Sequence, residues 1–297
     1  MEVSVVMATY NGEKYLAKQL DSIISQTLKP AEIIVCDDNS TDITAKILTH
    51  YQQDQKLNYE VNPARLGLIR NFKKSVSLVK GDYIALSDQD DEWMPEKLAQ
   101  TVSLLKEIEE PELPCLVYSD LLYVDEQGNI LNNSFRSEYG QDKYQHNLQT
   151  LLFSNFVTGC TIVMNKKMAS YFAEMPDDVR FHDEWIALVA FTFGKTASID
   201  KPLVRYRRHA NNLSIANDTK PRNRFMSVVN QLKTALNGKD DFLETQFGII
   251  KRFYQQYAKD MSIEKKAFFD DFLRLENKSY ITKKLAFRKV VTKFKVN

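Results

Sequence analysis

The first 100 residues alternate short apolar runs with amphipathic stretches of helical period, and this alternation limits the fold more than any other feature of the chain. The strand-like runs lie at 3–9, 32–36, 57–61 and 82–87, and the helical patterns lie between them at 15–27, 43–51 and 69–80. Strands that alternate with helices indicate βαβ units and a mostly parallel sheet. In such sheets, ligands bind beyond the carboxyl ends of the strands.

A different pattern follows residue 114. Residues 115–125, with a turn at 126–129, are typical of a hairpin, and the apolar run at 156–164 predicts a further buried strand. We also predict a helix over 184–193, a strand over 197–207 and helices beyond residue 217. Together these patterns predict an α/β fold in which a mixed sheet is flanked by helices and followed by a helical C-terminal extension.

Charge is distributed unevenly along the 297 residues, although the net charge is only +1. Residues 1–200 carry 18 Lys and Arg against 30 Asp and Glu, whereas residues 201–297 carry 22 against 9. A basic C-terminal third indicates contact with an anionic surface or substrate at one end of the chain. Because no nucleic-acid recognition motif accompanies the basic residues, we expect no nucleic-acid partner.

The three cysteines, Cys36, Cys115 and Cys160, are odd in number and each lies in an apolar run. This usage favours buried thiols in a reducing compartment. The first residues begin a strand pattern without a leader-like sequence, and no run of 18 apolar residues occurs. We therefore expect a cytoplasmic protein.

Polar clusters follow three of the predicted strands at the point where each ends. They are Thr9, Tyr10, Asn11 and Gly12 after the first strand, residues 37–42 after the second, and residues 87–91 after the fourth. Their coincidence at the ligand-binding edge favours a functional site. Part of the second cluster also fits a helix start, in which Ser40 or Thr41 is the cap and Asp42 meets the positive helix end. That alternative does not account for Asp37 and Asp38.

The third cluster, SDQDD, crowds Asp88, Asp90 and Asp91 into four positions. Carboxylates this close repel one another unless a positive charge lies between them. Two interpretations remain open. The run is either a solvated acidic turn, with Pro95 early in the next helix, or the site of a hard divalent cation that it shares with a diphosphate.

Four ordered segments, VSVVMATYNG, IIVCDDNSTD, NPARLGLIRNF and DYIALSDQDD, resemble the family 2 inverting glycosyltransferases, which have the GT-A fold. SDQDDEWMPEKL, FHDEW and YRRHANN are also similar to segments of bacterial rhamnosyltransferases in that family. The resemblance ends near Asn212. It implies a GT-A catalytic domain at 1–215, with a nucleotide-binding half at 1–100 and an acceptor-binding half at 101–215. Residues 216–297 remain as a basic helical C-terminal region.

The resemblance implies how the donor is bound. The loop of Thr9, Tyr10 and Asn11 is expected to hold the nucleotide base. Asp38 matches the carboxylate that hydrogen-bonds the base imide, which favours uridine or thymidine diphosphate donors. Arg70 matches a basic residue near the diphosphate, although a solvated helix arginine is an equal alternative.

The same resemblance assigns the acidic run to a metal motif. Asp88 is similar to its ribose-side member, Asp90 to the direct ligand of Mn²⁺ or Mg²⁺, and Asp91 to a third acid whose role varies. Such a cation would neutralise charge on a leaving phosphate.

An inverting transfer also needs a carboxylate that takes the proton of the acceptor hydroxyl. Within FHDEW, the resemblance places this base at Asp183, between His182 and Glu184. The alternative is that these acids only complement the first turn of a helix. Trp185 and Trp93 are candidates for core, for cleft wall or for stacking on a sugar.

Arg207, Arg208 and His209 follow the last predicted strand. They are either solvated or near the diphosphate, since arginine forks suit phosphate oxygens and a neutral imidazole can bind a metal. The resemblance makes His209 a candidate metal ligand. An arginine stands where the family pattern has glutamine before Arg208, so which arginine points inward stays open.

Residues 278–297 carry seven basic residues and no acidic one, and Phe287, Val291 and Phe294 recur at helical spacing, with Leu285 as an extension of that face. A basic amphipathic helix is typical of an anchor on anionic lipid. The alternative is that this face packs on protein. The resemblance favours a peripheral position on the inner face of the plasma membrane.

The sequence therefore predicts an inverting, metal-dependent transfer of a sugar, with rhamnose as one candidate, from a dTDP- or UDP-sugar to a cell-surface polysaccharide or a lipid-linked acceptor. A nucleotidyltransferase would need a Gly-rich phosphate loop, and VMATYNGEKY supplies none. A non-catalytic scaffold that binds sugar nucleotides is the remaining alternative.

Overall fold

The computed structural model describes residues 2–210, 212 and 243–296, which form a mixed α/β protein. Its strands are β1 (Val3–Thr9), β2 (Glu32–Asp37), β3 (Asn58–Val61), β4 (Tyr83–Ser87), β5 (Glu92–Trp93), β6 (Cys115–Val124), β7 (Ile130–Asn132), β8 (Val163–Asn165) and β9 (Lys195–Arg207). Its α-helices are α1 (Leu16–Ile24), α2 (Thr44–Gln53), α3 (Leu68–Ser77), α4 (Lys97–Ile108), α5 (Phe135–Tyr139), α6 (Leu148–Leu151), α7 (Lys166–Glu174), α8 (His182–Phe193), α9 (Glu244–Tyr257), α10 (Ile263–Leu273) and α11 (Tyr280–Lys293). The predicted alternation of strands and helices is confirmed.

The nine strands of the described chain belong to one mixed sheet in the order β3-β2-β1-β4-β8-β6-β9-β5, with β7 paired to β6. β1 runs parallel to β2 on one side and to β4 on the other. β8 is antiparallel to both β4 and β6. The carboxyl ends of β1, β2 and β4 therefore open at the same edge, where the three polar clusters begin.

Apolar burial explains why these runs form central strands. Val5, Val6 and Met7 in β1, and Ala85 and Leu86 in β4, are fully buried. Successive residues of a strand point to opposite faces, so both faces of β1 and β4 are covered, as is usual for parallel strands. The three cysteines are free and buried, as the sequence predicted.

The chain divides into two compact units. The first unit is Met1–Glu138 with Val157–Arg207, and the second is Tyr139–Phe156 with Arg208–Asn297. The boundary expected at residues 215 and 216 lies outside the described residues and stays a prediction.

The strand predicted over 156–164 is wrong for most of its length. Only its end belongs to β8, and a 3-10 turn at Gly159–Thr161 precedes it. The Thr161 and Ile162 N–H groups donate to the carbonyls of Thr158 and Gly159, at 2.9 and 3.1 Å. The apolar run is buried because the turn packs inside the unit, so burial alone did not distinguish it from a strand.

In the second unit, α11 packs on the segment before Val157. The Phe287 ring lies 5.5 Å from that of Phe153 and 6.4 Å from that of Tyr144. Ser279 caps the helix by accepting the Thr282 N–H. Part of the predicted amphipathic face is therefore a protein contact. Within the described ranges, no helix is long and apolar enough to span a bilayer.

Candidate active site

The first two polar clusters lie together at the ends of β1 and β2. Thr9 is the register partner of Asp37, and its hydroxyl donates to Asp37 at 2.8 Å. The Asn11 N–H donates to the Ser40 hydroxyl, and the Asn11 side chain accepts the Thr41 N–H at 2.9 Å. Asn11 has φ of 48°, a left-handed conformation that asparagine tolerates well. The two loops therefore form one surface.

Asp38 is held in place by the loop that follows β3. Its carboxylate accepts the backbone N–H groups of Leu66 and Gly67 at 2.6 and 2.9 Å, and the Asn62 amide at 3.2 Å. These donors hold the Asp38 carboxylate in one orientation.

Tyr10 joins the first loop to the acidic run. The Gln89 side chain accepts the Tyr10 N–H at 2.9 Å and donates to the Tyr10 carbonyl at 3.0 Å. The Arg65 guanidinium lies 3.8 Å from the centre of the Tyr10 ring and 3.9 Å from the Asp38 carboxylate. Gln89 and Arg65 were not singled out from the sequence, because only packing shows that they contact this loop.

Arg70 lies on α3 with its guanidinium beside Asp177. The two side chains are 2.9 Å apart, and Lys73 shares the same carboxylate. Both charges hold the pKa of Asp177 below its usual range. Arg70 is largely exposed in this pair, so its role near a diphosphate stays a proposal.

The third cluster and Asp183 both lie against the turn at Gly159–Thr161, since Asp183 accepts the Gly159 N–H and the ligand atoms of Asp88, Asp91 and Cys160 lie within 4.8 Å of one another. Burial, followed by repulsion from Asp90 and Asp183, raises the pKa of Asp88 to about 7. Burial and repulsion from Glu184 raise the pKa of Asp183 to about 7, although the Gly159 and Glu184 N–H groups donate to it at 3.0 and 2.7 Å. The structure thus brings together acids that are about 95 positions apart in the chain.

The residues of this cluster fit a divalent cation. Among the described residues, ligand atoms of Asp88, Asp91 and Cys160 lie within 4.8 Å of one another. Burial raises the pKa of Asp91, as do its neighbours Asp90 and Asp88. Burial also raises that of the Cys160 thiol. Crowded carboxylates that repel one another suit a hard cation, whereas a protonated thiol does not.

Comparison with known proteins is consistent with this geometry. Residues 4–172 match the family described as glycosyl transferase family 2. An uncharacterised glycosyltransferase of Methanocaldococcus jannaschii is 31% identical over 214 residues, which cover 69% of this chain and 70% of that protein. The chain belongs to glycosyl transferase family 2. A dTDP-rhamnosyl transferase, RfbG of Shigella flexneri, is 31% identical over 232 residues, which cover 71% of this chain and 74% of RfbG.

Solved structures support the GT-A fold of this glycosyltransferase. Staphylococcus aureus TarS aligns with a TM-score of 0.61 at 15% identity, over 95% of this chain and 45% of TarS. The mannosyltransferase PcManGT of Pyrobaculum calidifontis, in complex with GDP-Man and Mn²⁺, aligns with a TM-score of 0.53 at 16% identity, over 98% and 86% of the two chains. The chain thus spans less than half of TarS. At these identities the likeness concerns the fold.

In this glycosyltransferase, Arg207 is buried behind the acidic run and forms hydrogen bonds with it. Its backbone N–H donates to Asp91 at 3.2 Å, its Nε to the Asp90 carbonyl at 3.1 Å, and its Nη1 to the carbonyls of Asp125 and Glu126. The side chain has no exposed surface. Of the two arginines, Arg207 therefore points into the first unit.

Arg208 and His209 begin the second unit of the glycosyltransferase and are half-buried. The Asn212 side chain accepts the His209 N–H at 2.6 Å. The expected roles of Arg208 at the diphosphate and of His209 at the metal stay proposals.

The neighbours of Asp183 on α8 differ in environment. His182 is buried between the rings of Phe72 and Phe172, and burial lowers its pKa to about 4. Burial raises the pKa of Glu184 to about 6. Trp185 is fully buried, which supports the core interpretation. His182 is therefore a neutral packing residue, whereas Asp183 and Glu184 keep partial access to solvent.

Proposed function

We propose that this chain is an inverting, metal-dependent glycosyltransferase that uses a dTDP- or UDP-sugar, with rhamnose as a candidate sugar. The observation that carries the proposal is that Asp183 accepts the N–H of Gly159, while the ligand atom of the next residue, Cys160, lies within 4.8 Å of those of Asp88 and Asp91. A candidate base and a candidate metal motif therefore share one site. The similarity to a dTDP-rhamnosyl transferase supports the donor class. The proposed acceptor is a growing cell-surface polysaccharide or a lipid-linked saccharide.

Asp183 is the proposed general base. Its carboxylate takes the proton of the acceptor hydroxyl while that oxygen bonds to the anomeric carbon. The bond from the anomeric carbon to the diphosphate oxygen breaks in the same displacement, which inverts the configuration. A pKa of about 7 matches the pH at which a base both holds and releases a proton efficiently.

Donor binding is assigned to the two loops at the ends of β1 and β2. Thr9, Tyr10 and Asn11 border the base, Asp38 accepts its imide N–H, and Arg70 is a proposed diphosphate contact. The fixed orientation of the Asp38 carboxylate, which accepts the Leu66 and Gly67 N–H groups, supports this assignment.

Asp90 would hold Mn²⁺ or Mg²⁺, with Asp88 on the ribose side of the nucleotide, Asp91 as a third acid beside them and His209 as a further candidate ligand. When bound, the cation supplies positive charge that stabilises the leaving diphosphate. The mutual repulsion of the aspartates supports a cation at this position.

A peripheral membrane position is proposed from α11. Ile281 and Leu285 are about 60% exposed on this helix, and Arg288 and Lys289 are exposed beside them. Apolar and basic groups on one surface suit anionic lipid. Vesicles that contain anionic lipid should retain the protein, and Leu285→Glu should reduce this retention. Equal retention by neutral vesicles would contradict the electrostatic part of the proposal.

Thermal unfolding tests the donor and metal assignments together. The protein is heated with dTDP, UDP, GDP or CDP, each with and without Mn²⁺, and the series is repeated with Asp90→Asn. A ligand at 100 times its Kd adds about 2.7 kcal/mol, which raises the unfolding midpoint by several degrees. We expect a shift for dTDP or UDP that requires Mn²⁺ and is lost in the variant.

The matched control is Asp54→Asn, which removes an exposed aspartate beyond α2. Its nucleotide response should equal that of the original chain. If no nucleotide shifts the midpoint, the enzyme proposal fails and the non-catalytic scaffold becomes the better account.

A further inference from the structure

The Gln89 side chain joins the acidic run after β4 to the loop after β1. Gln89 stands between Asp88 and Asp90 in the chain. Its Oε1 accepts the Tyr10 N–H at 2.9 Å, and its Nε2 donates to the Tyr10 carbonyl at 3.0 Å. Because Tyr10 offers one donor and one acceptor to the same amide, this pair of hydrogen bonds fits only one orientation of the amide. One side chain thus holds both polar backbone groups of a residue on a different loop.

Gly12 provides the space for this amide. Gly12 is buried and its φ is not positive, so the backbone conformation does not require a glycine there. A Cβ atom at residue 12 would overlap the Gln89 Oε1 and would lie 2.9 Å from the Gln89 Cδ. The hydrogen bonds to Tyr10 and the absence of a side chain at residue 12 are therefore two separate features that fit the same contact.

Tyr10 is in turn connected to the surfaces that are proposed to bind the nucleotide base. The Arg65 guanidinium lies 3.8 Å from the centre of the Tyr10 ring and 3.9 Å from the Asp38 carboxylate. The next residue, Asn11, accepts the Thr41 N–H at 2.9 Å. A position that Gln89 fixes at Tyr10 is therefore passed on to both loops at the ends of β1 and β2.

We propose that Gln89 is a positioning residue that couples binding of the nucleotide base to binding of the divalent cation. A cation beside Asp88 and Asp90 offsets their repulsion and fixes the segment that carries Gln89. The Gln89 amide then fixes the Tyr10 backbone in the arrangement that the base also stabilises. Two ligands that stabilise one arrangement each raise the affinity for the other. This inference rests on the proposed function, because it needs a base and a cation at the same edge of the sheet.

Uridine and thymidine test the coupling, since they carry the base but no diphosphate that could bridge to the cation. An effect of the cation on their Kd is therefore transmitted by the protein. Equilibrium dialysis measures the Kd of each nucleoside without a divalent cation and with saturating Mg²⁺. In the original chain, Mg²⁺ should tighten the binding of at least one nucleoside by about fivefold or more. An unchanged Kd for both nucleosides would overturn the proposal.

Gln89→Met keeps the length of the side chain, removes both hydrogen bonds and adds no charge beside the acids. The tightening by Mg²⁺ should fall below about twofold in this variant. A residue that only supports the loop would affect nucleoside binding equally with and without Mg²⁺, so an unchanged tightening in Gln89→Met would contradict the coupling role. Gln53→Met, at the exposed end of α2, is the matched control and should keep the full tightening.

Gly12→Ala tests the same contact while Gln89 stays in place. The amide is the end of a flexible side chain, so we expect the added methyl group to displace the amide and leave the fold intact. Gly12→Ala should therefore lose the tightening as Gln89→Met does, and the double variant should lose no more than either single variant. Full tightening in Gly12→Ala would overturn the proposal.

UDP and dTDP, titrated with Mg²⁺ into the original chain, separate this inference from the proposed function. If a nucleoside diphosphate binds in a Mg²⁺-dependent manner and Mg²⁺ does not tighten nucleoside binding, the proposed function stands and the coupling role of Gln89 fails. If neither diphosphate binds, both proposals fail.

Discussion

The acids after β2 and the acids after β4 lie at the same edge of the sheet but have opposite environments. Asp37 accepts the Thr9 and Ser40 hydroxyls and the Ser40 N–H, and Asp38 accepts two backbone N–H groups and an amide. For Asp88, by contrast, burial and the nearby acids raise the pKa to about 7. Hydrogen bonds within the protein thus satisfy the carboxylates of Asp37 and Asp38. The acids after β4, in contrast, need a positive charge that their own neighbours do not fully supply.

This difference is consistent with the two proposed roles, which are base recognition and metal binding. Carboxylates held by several donors are rigid and offer a fixed acceptor, which suits recognition of a base. Carboxylates that repel one another are stabilised by a cation, and they change protonation near neutral pH when none is bound. Substitutions in the two groups should therefore have opposite effects on the metal-free protein.

The largest effect is expected for Asp183→Asn, which removes the proposed base from the second group. An amide cannot accept the proton of the acceptor hydroxyl, so turnover should fall by about 100-fold or more. Nucleotide affinity should persist, because Asp183 does not contact the loops that are proposed to bind the base. Turnover and Kd for the nucleotide are measured on the same preparation.

Glu184→Gln is the neighbouring control, since it also removes a partly buried acid from the first turn of α8. Its turnover should exceed that of Asp183→Asn by at least about tenfold. Near-normal turnover of Asp183→Asn would remove this residue from the catalytic role.

The second test compares stability across the two groups. Asp38→Ala leaves the Leu66 and Gly67 N–H groups without their acceptor, at about 1–3 kcal/mol for each, so the unfolding midpoint should fall by roughly 5 °C or more. Asp88→Asn removes a repelling charge and should leave the midpoint of the metal-free protein unchanged or higher at pH 8. Comparable losses in both variants would contradict the division into satisfied and unsatisfied acids.

A smaller effect should appear as a pH dependence of stability. The folded-state pKa values of Asp88 and Asp183 are about 7, above the ordinary aspartate value of 3.8. Between these values the folded protein binds more protons than the unfolded chain. The stability from these groups is therefore fully present below about pH 4 and is lost as pH rises through 7.

Thermal unfolding between pH 5 and 8 measures this dependence. The midpoint of the metal-free protein should fall with rising pH, and Asp88→Asn should reduce the slope. Saturating Mn²⁺ should also reduce it, because the cation stabilises the ionised carboxylates. A midpoint that rises steadily over this range would show that other groups control the stability.

Much of the first unit could be predicted from the sequence, because strands buried on both faces and amphipathic helices leave strong periodic patterns. The observed β1, β2 and β4 differ from the predicted runs by at most one residue at an end. The error at 156–164 has a local cause, since a buried 3-10 turn has the same apolar composition as a buried strand. Periodicity cannot resolve such a short apolar run.

The acids of the candidate site could be singled out from the sequence, whereas a basic and an amide side chain beside them could not. Asp38, Asp88 and Asp183 stand at recognisable positions of a motif. In contrast, Arg65 and Gln89 acquire their environments through contacts in the folded chain. The exposure of an arginine or lysine depends on which element packs against it, and sequence spacing does not report that.

The smallest effect is expected for a substitution of Arg65, which lies beside Asp38 in the group of acids after β2. Its guanidinium covers the Tyr10 ring, and a stacked cation at an exposed site contributes about 0.5–1 kcal/mol. Arg65→Ala should therefore change nucleoside diphosphate affinity by only about two- to fivefold, with turnover at saturation unaffected.

Arg70→Ala is the matched comparison on the same surface, and its loss of affinity should be larger if Arg70 leaves Asp177 to contact the diphosphate. Calorimetry with UDP and with uridine separates the two arginines, because only a diphosphate contact makes the loss depend on the phosphates. A loss for Arg65→Ala that is equal with both ligands would place this residue at the base, beside Tyr10 and Asp38.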